Sequence, residues 1–364
     1  MHILHLESGR HLYGGARQVL DLIGGLAEHG VESTLVCPPG SAIAAAGQTL
    51  GFNIRALPMQ GDLDLGFVQR FRRVIDELDP DVIHVHSRRG ADTLGGLAAR
   101  LAGVPAVLSR RVDSRDVPVL GRLKYYFYQK VIAISENIYQ QLAGPGLPPS
   151  KLQLVRSAIN PAAYQAGWSR EQFLREFNLQ DSDFVVAVVS QLIARKGHEY
   201  LLESLAKITM VCPELRLIFF GRGALEKHLK KMLARADLDS IVQFAGYRED
   251  LPEFLGHFQL LVHPAVREGL GLSLLEAQAA GVPVVGFRVA GVEEAVTDGR
   301  TGLLVAARDT TALAAAIAEI YDNPQRRQAL AVAGPGWIST EFSLENMVRG
   351  NLHVYREIRP AKTD

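Results

Sequence analysis

The stretch Glu268-Gly-Leu-Gly-Leu-Ser-Leu-Leu-Glu276 decides how this chain is interpreted, because two carboxylates eight positions apart enclose the glycine-rich start of a helix. The apolar run 258–263 predicts a buried strand, and 273–280 predicts a helix that ends at Gly281. Unpaired N–H groups and the dipole at a helix N-terminus favour anionic ligands. A carboxylate on the preceding loop can accept hydrogen bonds from sugar hydroxyls. Alone, two such glutamates would more often be solvated residues beside a turn.

Strand-like apolar runs alternate with helix-like stretches along both halves of the chain. This alternation predicts an α/β protein with parallel, doubly wound sheets. The predicted strands are 2–6, 33–37, 53–57, 81–86, 105–109, 131–134, 184–190, 215–220, 241–244, 258–263 and 283–287. The predicted helices are 15–29, 66–78, 197–210, 224–236, 272–280, 309–322 and 343–357. Residues 160–168, which contain Pro161 and Gly167, are the predicted linker.

The composition is that of a globular protein without a strong overall charge. The 364 residues are 48% hydrophobic, and 39 basic residues balance 39 acidic ones, so no global field recruits nucleic acid. Cys37 and Cys212 lie far apart, which favours separate thiols over a disulfide. The chain starts with a strand-like run, without a targeting leader, and no apolar run approaches the roughly 20 residues of a membrane span. We therefore expect a cytoplasmic protein.

Glycines and basic residues follow several predicted strands. Gly14-Gly15 follows the first strand, where a backbone without Cβ atoms can approach a phosphate closely, although an ordinary loop is the alternative. Arg195 and Lys196 follow the strand 184–190, where they could bind a diphosphate or form a solvated turn. Gly221-Arg222-Gly223 is only a G-x-G and so an incomplete nicotinamide fingerprint. Its arginine could contact phosphate or be solvated.

No motif in the sequence calls for a metal. Asp62-Leu-Asp64 has the D-x-D form, but it lies in a polar loop and is better explained as part of that loop. His84 and His86 share one face of a strand, which favours core or cleft lining over metal binding. No cluster of histidine, cysteine and carboxylate residues has zinc spacing.

The motifs around the two glutamates resemble those of the family 4 glycosyltransferases. The resemblance runs through most of the second half, and weaker matches at 81–87 and 131–136 extend it into the first. The residues that carry it are His263-Pro264, Arg267-Glu268-Gly269, Leu274-Leu275-Glu276-Ala277, 281–285, 291–296, Asp298-Gly299, 301–304 and Gly246-Tyr247-Arg248.

This resemblance implies the GT-B fold, in which two Rossmann-like doubly wound parallel-sheet domains face each other across a cleft. Residues 1–163 would form the acceptor-side domain, and 164–342 the nucleotide-sugar domain. The final helix, 343–360, would pack back on the first domain.

The resemblance also implies a retaining transfer of a hexose from a nucleotide-diphosphate sugar to a hydroxyl group, without a metal or other cofactor. Glu268, Lys196 and Arg195 would carry the chemistry: the two cations would hold the diphosphate, and Glu268 would orient the sugar. Gln191 stands where the family has an arginine, which is a departure. The remaining donor-binding residues would be Gly14, Gly15, Gly221, Arg222, Tyr247, Gly269, Leu270, Gly271, Leu272 and Glu276, the last on the ribose.

The acceptor side would include His84, Arg110 and Arg111. The arginine pair stands where many family members have a histidine, and it suggests an anionic acceptor group, although Asp113 or Asp116 could bind it structurally. Segment 84–130 carries nine basic and three acidic residues, and 122–130 interleaves them with aromatics. Such a segment could contact an anionic membrane peripherally through 110–130, or its aromatics could belong to the core. A glycan or lipid-linked acceptor, as in lipopolysaccharide or other polysaccharide synthesis, would fit.

Two other functions are compatible with these residues. A nucleotide-sugar epimerase or hydrolase would share the paired-sheet layout. A non-catalytic nucleotide-sugar-binding partner would explain the departures at Gln191 and Arg110.

Overall fold

The computed structural model describes residues 1–87, 90–113, 123–143, 147–165 and 167–359. They form two compact units. The first comprises Met1–Ala158 and the helix that begins at Leu344, and the second comprises Ile159–Ser343.

Seven parallel strands form the sheet of the first unit, in the order β3-β2-β1-β4-β5-β6-β7. The strands are β1 (His2–Leu6), β2 (Glu32–Cys37), β3 (Asn53–Ala56), β4 (Val82–Val85), β5 (Ala106–Arg110), β6 (Lys130–Ala133) and β7 (Leu152–Leu154). The helices are α1 (Gly14–Glu28), α2 (Ala42–Thr49), α3 (Gly66–Leu78), α4 (Ala91–Ala102), α5 (Glu136–Ala143) and the final helix, α14 (Leu344–Ile358).

Alternate residues of each strand enter different cores, because side chains alternate across a sheet. Ile3 packs with residues of α1 and α14 on one face. Leu4 packs with residues of α3 and α4 on the other. The helices α1 and α14 approach so closely at Gly25 that a Cβ atom there would lie 2.4 Å from Val348 Cγ2.

The second unit contains a six-stranded parallel sheet in the order β10-β9-β8-β11-β12-β13. Its strands are β8 (Phe184–Val189), β9 (Leu215–Phe220), β10 (Val242–Gly246), β11 (Leu260–His263), β12 (Val284–Phe287) and β13 (Gly302–Val305). Its helices are α6 (Arg170–Phe177), α7 (His198–Val211), α8 (Glu226–Arg235), α9 (Leu251–Phe254), α10 (Leu272–Ala279), α11 (Ala290–Ala295), α12 (Thr310–Asp322) and α13 (Pro324–Glu341).

Each sheet has one point at which the direction of strand addition reverses. In the first sheet this point lies between β1 and β4, and in the second between β8 and β11. Loops that leave such neighbouring strands turn apart at the carboxyl edge and open a crevice that commonly binds ligands. The loops that carry Lys196 and Glu268 leave β8 and β11, so the topology brings these two residues to one crevice.

The predicted strands and helices agree with the structure to within one or two residues. The prediction missed several elements, among them the three-residue strand β7 and the strand β13, which starts at a glycine. The division between the two units falls between Ala158 and Ile159, just before the predicted linker at 160–168. Tyr164 is buried, and the N–H groups of Gly167 and Trp168 both donate to Glu253 O, so this segment packs into the second unit.

In the described part of the chain, no helix combines the length and apolar character needed to cross a bilayer. Cys37 and Cys212 are both buried, free thiols, as the sequence suggested.

Gly223→Ala is expected to destabilise the second unit by about 1–3 kcal/mol, because a Cβ atom there would lie 2.2 Å from Leu192 O. Gly336→Ala is the matched control. Among the described residues, no atom beyond the adjacent residues and the helix's own backbone lies within 4 Å of a Cβ built there, so alanine should stabilise α13 by about 0.5–1 kcal/mol. Urea unfolding followed by tryptophan fluorescence measures both changes, since Trp168 and Trp337 belong to this unit. Equal unfolding midpoints for the two variants would contradict this packing.

Candidate active site

The loops after β8 and β11 are joined through their backbones. Val266 N donates to Arg195 O at 3.0 Å. Gly197 has a positive φ of 68°, and a Cβ atom there would lie 1.9 Å from Pro264 O. Only glycine fits this position, which fixes Lys196 beside the loop that carries Glu268.

Lys196 and Glu268 form a nearly buried ion pair, with side-chain exposures of 11% and 9%. Lys196 Nζ contacts Glu268 Oε2, and His263 Nε2 lies 3.0 Å from the same oxygen. Gly269 N donates to the other oxygen, Oε1, at 3.0 Å. The two residues expected to hold different parts of one substrate therefore bind each other here. The contact of His263 was not predicted, although the residue belongs to the motif quoted above.

The surroundings of Glu268 keep its carboxylate ionised. Burial alone would raise the pKa of Glu268, but the Lys196 ammonium and the hydrogen bond from His263 outweigh burial and lower it. Burial is also the main cause that lowers the pKa of His263, with help from Lys196 and Arg195. The site therefore pairs an ionised carboxylate with a neutral imidazole.

Arg195 and Gln191 lie at the more exposed side of this site. Arg195 Nη1 is 3.9 Å from Glu268 Oε1 and donates to Arg267 O at 3.4 Å. Gln191 is exposed, two residues after β8. Both remain able to reach a ligand from solvent.

Glu276 lies in the second turn of α10, where Tyr164 O–H donates to its Oε1 at 3.0 Å. Tyr164 was not among the predicted site residues. The helix starts after Gly271, which has a φ of 79°. Because this glycine has no side chain to cap the helix, first-turn N–H groups are suited to bind an anion. Leu270 is buried and Leu272 half-buried beside it.

The glycine turn at 221–223 has a packing role that the sequence did not reveal. A Cβ atom on Gly221 would lie 2.0 Å from Ser190 O, and Gly223 packs equally closely on Leu192. These glycines therefore let the loops after β8 and β9 touch. Arg222 is exposed and Tyr247 is half-buried after β10.

Asp64 has a structural role, as expected for the loop around it. It accepts hydrogen bonds from Gln60 N and Phe67 N and pairs with Arg70 at 2.6 Å. These bonds lower the pKa of Asp64, and the hydrogen bond from Gln60 N has the largest effect. The D-x-D sequence is explained by this turn.

In the first unit, Arg111 lies beside the start of α1. A Cβ atom built on Gly15 would be 3.7 Å from Arg111 Cδ, and Arg111 Nη2 lies 3.2 Å from His86 Nδ1. Gly14 and Gly15 are half-buried. Arg110, the last residue of β5, is buried. Asp113, three residues later, is also buried, and Asp116 falls outside the described residues.

Three buried histidines stack behind Arg111. His5 Nδ1 lies 3.0 Å from His86 Nε2, and the rings of His84 and His86 are 3.8 Å apart. His84 binds Tyr355 O–H at 2.6 Å through Nδ1 and Ser109 Oγ at 2.8 Å through Nε2. His84, expected on the acceptor side, is fully buried, and both its ring nitrogens are engaged within the core.

The same three histidines have ring nitrogens within 4.8 Å of one another, which is compatible with a metal site. The rings of His5 and His86 lie edge to edge, with 17° between their planes, and share a hydrogen bond between His5 Nδ1 and His86 Nε2. Both ring nitrogens of His84 are also hydrogen-bonded, so hydrogen bonding accounts for these contacts of the cluster. His5 was not predicted to join it, because it lies 79 residues before His84.

The basic aromatic segment is partly core. Lys124–Phe127 forms a short 3₁₀ helix, in which Lys124 is buried against Asp92 at 2.6 Å. Tyr125 and Tyr128 are buried, whereas Leu123 and Tyr126 are 50% and 74% exposed. Of the aromatics in 123–130, Tyr126 alone is exposed, beside exposed Leu123, and residues 114–122 lie outside the described part.

Comparison with known proteins identifies the family. Residues 169–337 match the model of group 1 glycosyl transferases, and residues 13–163 match that of Glycosyltransferase Family 4. The putative glycosyltransferase EpsD of Bacillus subtilis is 27% identical over 323 residues, which cover 80% of this chain and 82% of EpsD. The lipopolysaccharide core biosynthesis mannosyltransferase LpsB of Rhizobium meliloti is 29% identical, over 56% of this chain and 60% of LpsB.

Solved structures share the fold. Anabaena HepE, in complex with UDP and glucose, superposes with a TM-score of 0.86 at 20% identity, over 98% of this chain and 100% of HepE. WaaG, a glycosyltransferase involved in lipopolysaccharide biosynthesis, gives a TM-score of 0.73 at 17% identity, over 99% of this chain and 100% of WaaG.

The chain belongs to the family 4 glycosyltransferases and has the GT-B fold. It is a glycosyltransferase, and the comparisons do not favour the epimerase, hydrolase or non-catalytic alternatives.

The histidine stack should make the first unit sensitive to acid. Burial lowers the pKa of His5 from 6.5 to about 3 and lowers those of His84 and His86 as well. The unfolded chain therefore binds protons that the folded one excludes, and stability is lost as pH falls below 6.5 towards 3. Each histidine contributes a slope that approaches about 1.4 kcal/mol per pH unit near pH 5, where the unfolded ring is almost fully protonated, and that is several-fold smaller at pH 7.

Hydrogen exchange of a β4 peptide between pH 5 and 7, corrected for the intrinsic rate, measures this slope. His5→Phe should reduce the slope by about a third, since one of three groups is removed. His353→Phe, at an exposed position, is the control for the introduction of a phenyl ring. A stability that does not change over this range would contradict the assignment.

Proposed function

We propose that this glycosyltransferase transfers a hexose, with retention, from a nucleotide-diphosphate sugar to a hydroxyl of a glycan or lipid-linked acceptor. The observation that carries this proposal is the Lys196–Glu268 ion pair beside the start of α10. The cation suits a diphosphate, and the carboxylate suits sugar hydroxyls. The UDP bound to HepE supports a nucleotide-diphosphate donor, and the names of LpsB and WaaG support a role in cell-surface polysaccharide synthesis.

Lys196, Arg195 and Gln191 would hold the diphosphate and stabilise the charge that develops on it as it leaves. Of these three, the cations Lys196 and Arg195 would take the part that a divalent metal plays elsewhere. Glu268 would orient the sugar, with the backbone of 269–272 near the phosphate. Glu276, held by Tyr164, would bind the ribose, while Arg222 and Tyr247 would border the donor.

We assign a front-face displacement to this site. Glu268 is engaged by His263 at one oxygen and by Gly269 N–H at the other, which makes it a poor nucleophile. The acceptor hydroxyl oxygen would bond to the anomeric carbon while the bond from that carbon to the phosphate oxygen breaks. The leaving phosphate would take the hydroxyl proton.

The acceptor would carry an anionic group near Arg111, while Gly14-Gly15, beside it at the start of α1, would contact the donor. The start of α1 and the guanidinium both favour a phosphate or carboxylate. Arg110, being buried, would support Arg111 and not contact the acceptor directly.

Peripheral contact with the inner face of the membrane would use exposed apolar side chains of the first unit. Leu63 and Leu65 are 90% and 73% exposed, in a loop whose Asp62 backbone contacts Gly90. Gly90 precedes α4 directly, and Asp92 lies in the first turn of that helix. Leu123 and Tyr126 flank Lys124, which binds Asp92. All four side chains therefore lie around one end of α4.

The true donor should raise the melting temperature of the protein in the presence of EDTA. At a hundred times its dissociation constant, a ligand stabilises by about 2.7 kcal/mol. A thermal-shift panel of nucleotide-diphosphate sugars identifies it, and transfer assays then follow. Lys196→Ala and Glu268→Ala should each abolish turnover of that donor, whereas Met210→Ser, an exposed position, should not. Intact turnover in both site variants would refute the proposed site.

Vesicles that contain about 30% anionic lipid should co-sediment the protein at low salt and release it as salt rises, since the Debye length shortens from about 30 Å to 10 Å between 0.01 and 0.1 M. Leu63→Ser with Tyr126→Ser should weaken binding several-fold. Met210→Ser, in the second unit, is the matched control because its side chain is 79% exposed. Failure of the wild-type protein to bind anionic vesicles would exclude the contact.

A further inference from the structure

His263 is a buried histidine to which the reaction proposed above gives no task. It is the last residue of β11, and its side chain is 2% exposed. Its Nε2 atom lies 3.0 Å from Glu268 Oε2. An ionised carboxylate can only accept hydrogen bonds, so Nε2 must carry the proton of this contact.

The proton on Nε2 belongs to a neutral ring. The Glu268 carboxylate alone would raise the pKa of His263. Burial, which has the largest effect, and the positive charges of Lys196 and Arg195 together lower it. His263 therefore donates a hydrogen bond without adding a positive charge. Lys196 and Arg195 supply the positive charge of the site, and Glu268 offsets part of it.

Two donors other than Lys196 hold the carboxylate, one at each oxygen. His263 binds Oε2, and Gly269 N–H binds Oε1 at 3.0 Å. Lys196 shares Oε2 with His263. If Lys196 moves to a phosphate, Glu268 loses its nearest cation, while the two neutral donors stay on its oxygens and Arg195 stays 3.9 Å from Oε1.

We propose that His263 is a positioning residue that keeps Glu268 oriented while Lys196 exchanges the carboxylate for the phosphate of the donor. This inference rests on the proposed function. It states that the ion pair is a resting arrangement and that donor binding breaks it. His263 then orients the carboxylate that meets the sugar ring, and it does not touch the substrate itself.

Three substitutions separate this role from simple core packing. Glutamine can place an N–H group where Nε2 lies, asparagine reaches only the position of Nδ1, and leucine offers no donor. We expect H263Q to keep kcat/KM within roughly threefold of the wild type. H263N and H263L should lose about 10- to 100-fold, because a misplaced carboxylate no longer orients the sugar.

The second readout is the binding of the nucleoside diphosphate, which lacks the sugar that Glu268 would orient. The Kd of the matching nucleoside diphosphate, measured by calorimetry, should change less than about twofold in H263L, since Lys196 is retained. A parallel loss of nucleoside diphosphate affinity would indicate general damage and overturn the proposal. The control is H228L, which removes an exposed histidine that lies 2.8 Å from Glu199, and it should leave both constants unchanged.

A third readout does not depend on turnover or on the stability of any variant. Long-range ¹H–¹⁵N spectra of the histidine-labelled wild-type protein should show His263 as the neutral Nε2–H tautomer at pH 7. An Nδ1–H tautomer or a doubly protonated ring would overturn the proposal. Wild-type kcat/KM in H263L, with E268Q impaired, would refute this inference alone. If E268Q were as active as the wild type, the proposed function would fail as well.

Discussion

The buried contact between Lys196 and Glu268 is the interaction on which the second unit's site depends. Removing two charges from water is expensive, and their attraction offsets the cost only when further hydrogen bonds complete the arrangement. Here His263 and Gly269 N–H supply those bonds. The ammonium group of a lysine held in this way is already partly desolvated. In the proposed function, an incoming phosphate would have to replace one anionic partner and would not need to strip a full hydration shell.

The two units use a similar device at corresponding places. In each, a neutral, buried histidine follows or ends a strand beside the reversal point of the sheet and binds a charged side chain. His86 lies 3.2 Å from Arg111 in the first unit, and His263 lies 3.0 Å from Glu268 in the second. An imidazole can accept in one case and donate in the other, because its tautomer adapts to the partner. Both charged groups are thus oriented without a second full charge.

The sequence predicted the strands and the residues that follow them, because apolar runs and the glycines after them depend on local properties. It did not predict which loops would meet. Lys196 and Glu268 are 72 positions apart, and their contact follows from the pairing of β8 with β11. The pairing of β1 with β4 likewise assembles the histidine stack. The roles of Gly221 and Gly223 could not be predicted for a different reason. A glycine allows close approach of a neighbouring backbone as readily as close approach of a ligand, and the sequence does not tell which. In 122–130, spacing could not tell which aromatics face the core, and Tyr125 and Tyr128 proved to be buried.

The backbone junction at Gly197 restricts how this enzyme can diversify. With Pro264 O at 1.9 Å from any added Cβ and Val266 N bonded to Arg195 O, the loops after β8 and β11 form one rigid frame. Insertions or larger residues in either loop would displace the other and separate the cation from the carboxylate. New sugar preferences should therefore arise from side chains at the margin of this frame, such as Arg222 and Tyr247. Engineering of donor choice is best directed to those positions.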